Sequence, residues 1–132
     1  MKELNDFLQN WGEDSEEAKI MFENLYAHAK SLQLALDYVG RPGVSHSLRL
    51  GIPGAERPFF AMIDIIDDDP EERWLSICMY ADVAEDPEEK GDLVPKGLND
   101  QDALCFDIDE TDEEITAYMR QVIEKAAEKS KK

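Results

Sequence analysis

Phe59-Phe60-Ala61-Met62-Ile63-Asp64-Ile65-Ile66 and Trp74-Leu75-Ser76-Ile77-Cys78-Met79-Tyr80 are two apolar runs joined by Asp67-Asp68-Asp69-Pro70-Glu71-Glu72-Arg73. Both runs are rich in β-branched and aromatic residues and too short for ordinary helices, which predicts two strands. The charged linker holds Pro70, which suits a solvated hairpin connection and not a strand interior. Phe59, Ala61, Ile63 and Ile65 give the first strand an apolar face, and Leu75, Ile77 and Met79 do the same for the second.

Working outward, Val44 to Leu50 alternates: Val44, His46, Leu48 and Leu50 point one way, and Ser45, Ser47 and Arg49 the other. With the turn Gly51-Ile52-Pro53-Gly54 behind it, this run predicts a third strand and an antiparallel meander. Ala103 to Ile108 has the same character. Between Ala81 and Asp102 only Leu93, Val94 and Leu98 offer apolar anchors, and a loop is expected there that holds a helical turn near Pro87-Glu88-Glu89 or serves as a flap, forming a rim to the sheet.

Helices are expected at both ends. Leu4, Phe7, Leu8 and Trp11 share one face of a short helix that Gly12 stops. Asp14 or Ser15 caps a longer one, in which Ala18, Met21, Phe22, Leu25, Ala29, Leu32, Leu36 and Val39 recur every three or four residues. Thr111-Asp112-Glu113-Glu114 reads as a capping box before Ile115, Tyr118, Met119, Val122, Ile123 and Ala126. Lys125, Lys129, Lys131 and Lys132 gather at the end of this helix, and 129–132 are expected to fray as a basic tail. The fold class is therefore α+β: one domain over 1–132, with an antiparallel sheet of about four strands and helices mainly on one face. The expected order is helix-helix-strand-strand-strand-loop-strand-helix.

The 132 residues carry 31 acidic and 14 basic side chains, a formal net charge of −17. Such a field repels nucleic acid and anionic membrane surfaces and favours basic partners. No segment approaches the roughly 18 apolar residues that a membrane span requires, and the amino terminus lacks the apolar core of a signal peptide. Cys78 and Cys105 share no CxxC spacing and sit in apolar runs, which predicts buried thiols in the cytoplasm, with a disulfide open if their strands are neighbours. No P-loop, dinucleotide fingerprint or HExxH is present, so no cofactor is expected. The acidic stretches 67–72 and 107–112 lack the glycine of a calcium loop, and no metal site is expected.

Opposite the apolar sheet face, Trp74, Ser76, Cys78 and Tyr80 alternate outward, joined by Cys105 and Asp107 and by Phe60, Met62 and Asp64. Aromatic rings, small polar groups and carboxylates on one face suit a ligand or partner groove. The candidate binding residues are His46, Trp74, Ser76, Cys78, Tyr80 and Cys105. The expected function is a non-enzymatic domain that binds an unknown protein partner or small molecule. Two alternatives are an enzyme built on a His46/Cys78 thiol pair and an acidic decoy for basic protein surfaces.

Val44-Ser45-His46-Ser47-Leu48-Arg49-Leu50, Pro58-Phe59-Phe60-Ala61-Met62 and the strand-helix end Ala103 to Lys125 resemble the MmcQ/YjbR-like proteins and related small bacterial α+β domains. The resemblance covers about residues 18–129. It implies an α+β fold and no catalytic residue, because those families largely lack an assigned activity. The chain departs from them in its acidity and in the 67–72 turn.

Overall fold

The computed structural model describes residues 1–131. In chain order the elements are α1 (Lys2–Gln9), α2 (Glu16–Ser31), β1 (Ala35–Arg41), β2 (Ser45–Gly51), β3 (Ala61–Ile66), β4 (Trp74–Tyr80), β5 (Asp92–Leu98), β6 (Gln101–Ile108) and α3 (Glu113–Ser130). The strands form one antiparallel sheet in the order β1-β2-β3-β4-β6-β5. The two apolar runs pair as neighbours, with Ile63 opposite Ile77 and Ile65 opposite Leu75.

The core lies between one sheet face and the helices. Leu48, Leu50, Ala61, Ile63, Ile65, Leu75, Ile77 and Met79 are fully buried there, against Phe22 and Leu25 of α2 and Met119 and Ile123 of α3. Each large side chain so buried contributes about 1.5–3 kcal/mol. Such burial, more than helix propensity, holds α2 and α3 in place.

The sheet has six strands, two more than the sequence reading expects. The first extra strand is β1, which the apolar spacing assigns to the long helix. The chain leaves the helix at Ser31 because Gln33 adopts the left-handed conformation, φ 57°. Leu36 and Tyr38 then face the core by alternation and Val39 faces the other way, so the helical spacing of Leu36 and Val39 from Leu32 is a coincidence of position. The second is β5, inside the stretch expected to be a loop. Pro95 is tolerated there because β5 is an edge strand, and its pairing with β6 is interrupted between Val94 and Leu98. Asn99 and Asp100, with φ 49° and 62°, form the two-residue turn whose twist suits a hairpin.

Residues 82–91 do form a loop, but it lies on the helix side and is no rim to the opposite face. The Tyr118 hydroxyl accepts from the Glu88 amide at 3.1 Å and donates to Asp86. The Asp86 carboxylate also accepts from the amides of Lys90 and Gly91, at 3.0 and 2.8 Å.

At the start of α3 the cap is Asp112, not Thr111. Its Oδ1 accepts from the Ile115 amide at 2.8 Å. The helix runs through Ser130, so residues 129 and 130 are helical and not frayed, and Lys132 of the expected tail lies outside the described residues. Among the described residues no helix is long and apolar enough to cross a membrane.

Candidate functional site

The sheet register sorts the candidate residues onto two faces. His46 pairs with Ile65 on the helix-covered face, at the end of the sheet beneath α1. Trp74, Ser76, Cys78 and Tyr80 alternate onto the other face, which no helix covers. His46 and Cys78 are therefore separated by the sheet itself, and the thiol–imidazole pair is not assembled.

His46 is 4% exposed and has partners on both ring nitrogens. The Tyr38 hydroxyl lies 2.6 Å from Nδ1, and Nε2 lies 3.1 Å from Asp67 Oδ2. Burial raises the Tyr38 pKa, with smaller contributions from Glu3 and Asp67, so the phenol keeps its proton and donates to Nδ1. With the imidazole proton on Nε2, both bonds are satisfied by a neutral ring. Arg73 Nε donates to Asp67 Oδ1 at 2.6 Å, and its Nη1 donates to the Trp11 carbonyl at 2.7 Å. The Ser15 hydroxyl accepts from the Arg73 amide at 2.9 Å, in place of capping α2 with its side chain. Phe7 closes the site by stacking on His46. This buried network ties α1 and the loop behind it to the sheet. Asp67 and Arg73, assigned by sequence to a solvated turn, belong to it because strand alternation carries both to the core face.

The uncovered face is built in rows across the strands. One row runs Val39, Ser47, Asp64, Ser76 and Asp107. The next runs Asp37, Arg49, Met62, Cys78, Cys105 and Asp92. On the other side of the first row, Trp74 stands opposite Ile66. Most of these side chains are half-buried, each shielded by its neighbours in the same layer.

Cys78 and Cys105 stand directly opposite one another, with Cα atoms 4.1 Å apart, and are joined as a disulfide. The expected pair of free thiols is corrected accordingly, and its support for a reducing compartment goes with it. The bridge is half-buried and faces outward beside Ser76, whose Oγ lies 3.9 Å from Cys78 Sγ. Tyr80 shares the face but is only 2% exposed. Arg57 lies over its ring at 3.9 Å, Phe59 stacks beside it, and Asn99 donates to its hydroxyl at 3.0 Å. Tyr80 therefore supports the edge of the face and does not present its ring.

Ser76, Asp64 and Asp107 give the face its polarity. The Ser76 hydroxyl is 3.4 Å from Asp107 Oδ1. Burial raises the Asp64 pKa, opposed by the nearby Ser47 hydroxyl and the Arg49 guanidinium. Ser47 lies beside Asp64 without a hydrogen bond of ordinary geometry, leaving Ser47 Oγ and Asp64 Oδ1 buried and unpartnered. Asp64 and Asp107 were visible in sequence from the same alternation that exposes Ser76. Their alignment in one row with Ser47 depends on strand register, which the sequence does not display. Among the described residues no three His, Cys, Asp or Glu side chains converge to hold a metal ion.

Comparison with protein-family models, with curated proteins and with solved structures finds no match to this chain.

Proposed function

We infer that the chain is a non-enzymatic binding domain that takes a protein partner or a small molecule on the uncovered sheet face. The observation that carries this reading is the asymmetry of the sheet. The helices all contribute to the core on one face, while the other displays Trp74, Ser76 and the Cys78–Cys105 bridge among half-buried polar groups. A flat layer with a ring, a disulfide and hydroxyls offers apolar contact with a few orienting polar groups. His46 and Tyr80 leave the set of contact residues, and Asp64 and Asp107 enter it. The resemblance to MmcQ/YjbR-like domains stands with this proposal as kinship of fold and adds no residue role.

The test is capture of partners from native lysate by the wild-type chain and by Trp74→Ala/Ser76→Trp, which removes one contact and fills the centre of the face. The reading expects a partner or metabolite that the double variant loses while its circular dichroism spectrum is unchanged. Equal capture by both proteins overturns it. The formal charge of −17 supports a basic partner over nucleic acid. An acidic decoy gives a different result: binding that falls steeply with salt and ignores the double variant.

A further inference from the structure

We propose that a second copy of this chain lays its β1 against β1 of the first, antiparallel about Val39, joining the two sheets edge to edge. This contact is independent of what the uncovered face binds. Three features of the edge lead there.

The first is that the edge is open. β1 ends the sheet, and among the described residues it pairs with β2 alone, over the unbroken register Ala35–Arg41. Its outer row of N–H and C=O groups is left without a strand beside it, and Ala35, Asp37, Gly40 and Arg41 are exposed. An edge of this length with no proline and no bulge is a template for another strand. The opposite edge is blunted. There β5 carries Pro95, Lys96 turns left-handed at φ 56°, and the ladder is interrupted between Val94 and Leu98.

The second is register. Residues opposed across an antiparallel ladder share a face, so two copies related by a two-fold axis pair about one residue of β1. Three residues lie at its centre. Pairing about Asp37 sets the two Asp37 carboxylates against each other. Pairing about Tyr38 sets Asp37 against Val39. Pairing about Val39 sets Asp37 against Arg41 of the second copy, and symmetry makes that pair twice. It also sets Tyr38 opposite Gly40 of the second copy. A Cβ at Gly40 would lie 2.5 Å from the Tyr38 hydroxyl of its own chain, and the glycine leaves that space to the ring. The uncovered faces of both copies then lie on the same side of one continuous sheet.

The third is charge. Asp37 and Arg41 are exposed on the same face, and among the described residues neither makes an ion pair. On a chain of formal charge −17, the strand itself is neutral and complementary to its own reverse. Opposite charges directly across a ladder stabilise it, and like charges oppose it. The two chains repel as wholes, but at about 0.15 M salt a screening length of about 8 Å leaves the nearest pairs in control. One strand edge buries less than the about 1,200 Å² of a stable interface, so the dimer is weak.

The experiment is sedimentation velocity of the full chain from about 10 µM to about 500 µM in about 0.15 M salt, the range that reads a weak dimer. It is run on the wild type, Asp37→Arg, Arg41→Asp and the double variant. The wild type should move from 15.0 kDa toward twice that mass as concentration rises. Each single variant opposes like charges and should raise the dissociation constant roughly tenfold. The double variant restores both pairs with their signs exchanged and should recover the wild-type constant. A mixture of the two single variants should form a heterodimer, because each then faces the opposite sign. Both positions are exposed, so the circular dichroism spectra should coincide. A monomer throughout the range overturns the proposal. A dimer that the single variants leave unchanged, or that the double variant fails to restore, places the contact elsewhere and also overturns it. A monomer whose β1 amides gain exchange protection only from another protein gives the edge to a foreign strand and overturns the assignment to a second copy.

Discussion

Phe7 of α1 lies flat on His46 of β2, with ring centroids 3.6 Å apart and planes inclined by 15°. The stack seals the buried network that fixes the amino-terminal helix, so the histidine acts as a structural tie. His46→Ala would leave the Tyr38 hydroxyl and Asp67 Oδ2 without their partner and open a cavity under Phe7. The expected loss is about 2–4 kcal/mol, read as a lower urea midpoint. Binding at the uncovered face should be unchanged once the variant is folded.

Arg73→Ala should be costlier still. The Arg73 and Asp67 side chains are 9% and 10% exposed, and removing the cation strands a buried carboxylate. The expected loss is about 3–5 kcal/mol, measured by chemical denaturation. A loss below about 1 kcal/mol would mean that water reaches Asp67 freely.

Asp64→Asn should stabilise the protein at neutral pH. Burial holds the folded-state pKa of Asp64 above its unfolded value. An acid shifted this way costs stability when both states are ionised, and the cost vanishes as pH falls below the unfolded value of about 4. The melting temperature of the variant should exceed that of the wild type at pH 7, and the difference should close below pH 4.

Tyr118→Phe should free the 82–91 loop. Burial, then the bond to Asp86, pushes the Tyr118 pKa up to about 12. The stabilisation this implies is complete below about pH 10 and lost as pH rises from there to about 12. Burial alone would raise the Asp86 pKa, but the bonds from Tyr118, Gly91 and Lys90 together hold it below the usual carboxylate range. Stability from Asp86 is therefore present above about pH 4 and lost as pH falls through its folded value. The variant should lose about 1–2 kcal/mol at pH 7 and show a shallower decline at both extremes of pH. Ultraviolet titration of the wild type should show one phenolate appearing near pH 12.

Reduction of Cys78–Cys105 should lower stability by about 3 kcal/mol, since the bridge closes a chain segment of sequence separation 27. Urea denaturation with and without dithiothreitol reads the difference. The native fold should survive, because the ladder around the bridge remains paired.

Much of this architecture was legible in the chain because strand alternation is a local signal. Leu75, Ile77 and Met79 announce a core face without reference to anything distant, and Ser76 and Cys78 announce its opposite. What eluded the sequence depends on partners far along the chain or on single backbone angles. The left-handed turn at Gln33 ends α2 and turns Leu36 to Val39 into strand, and no apolar pattern records it. Pro95 disguised β5, because a proline is excluded from a central strand but not from an edge. His46 showed its core-face spacing plainly, yet its stack with Phe7 crosses 39 positions of sequence. The alignment of Ser47, Asp64, Ser76 and Asp107 is a matter of register, fixed only when four strands are laid side by side.

The central claim is that partners meet the bare sheet face. The most direct measurement places a photoreactive benzoylphenylalanine at Met62, in the middle of that face, and compares it with the same probe at Ile20, which is 58% exposed on α2. Irradiation in native lysate should join a discrete partner to the Met62 probe and leave the Ile20 probe uncoupled. Crosslinks from Ile20 with none from Met62 would place the interaction on the helical side and contradict the account.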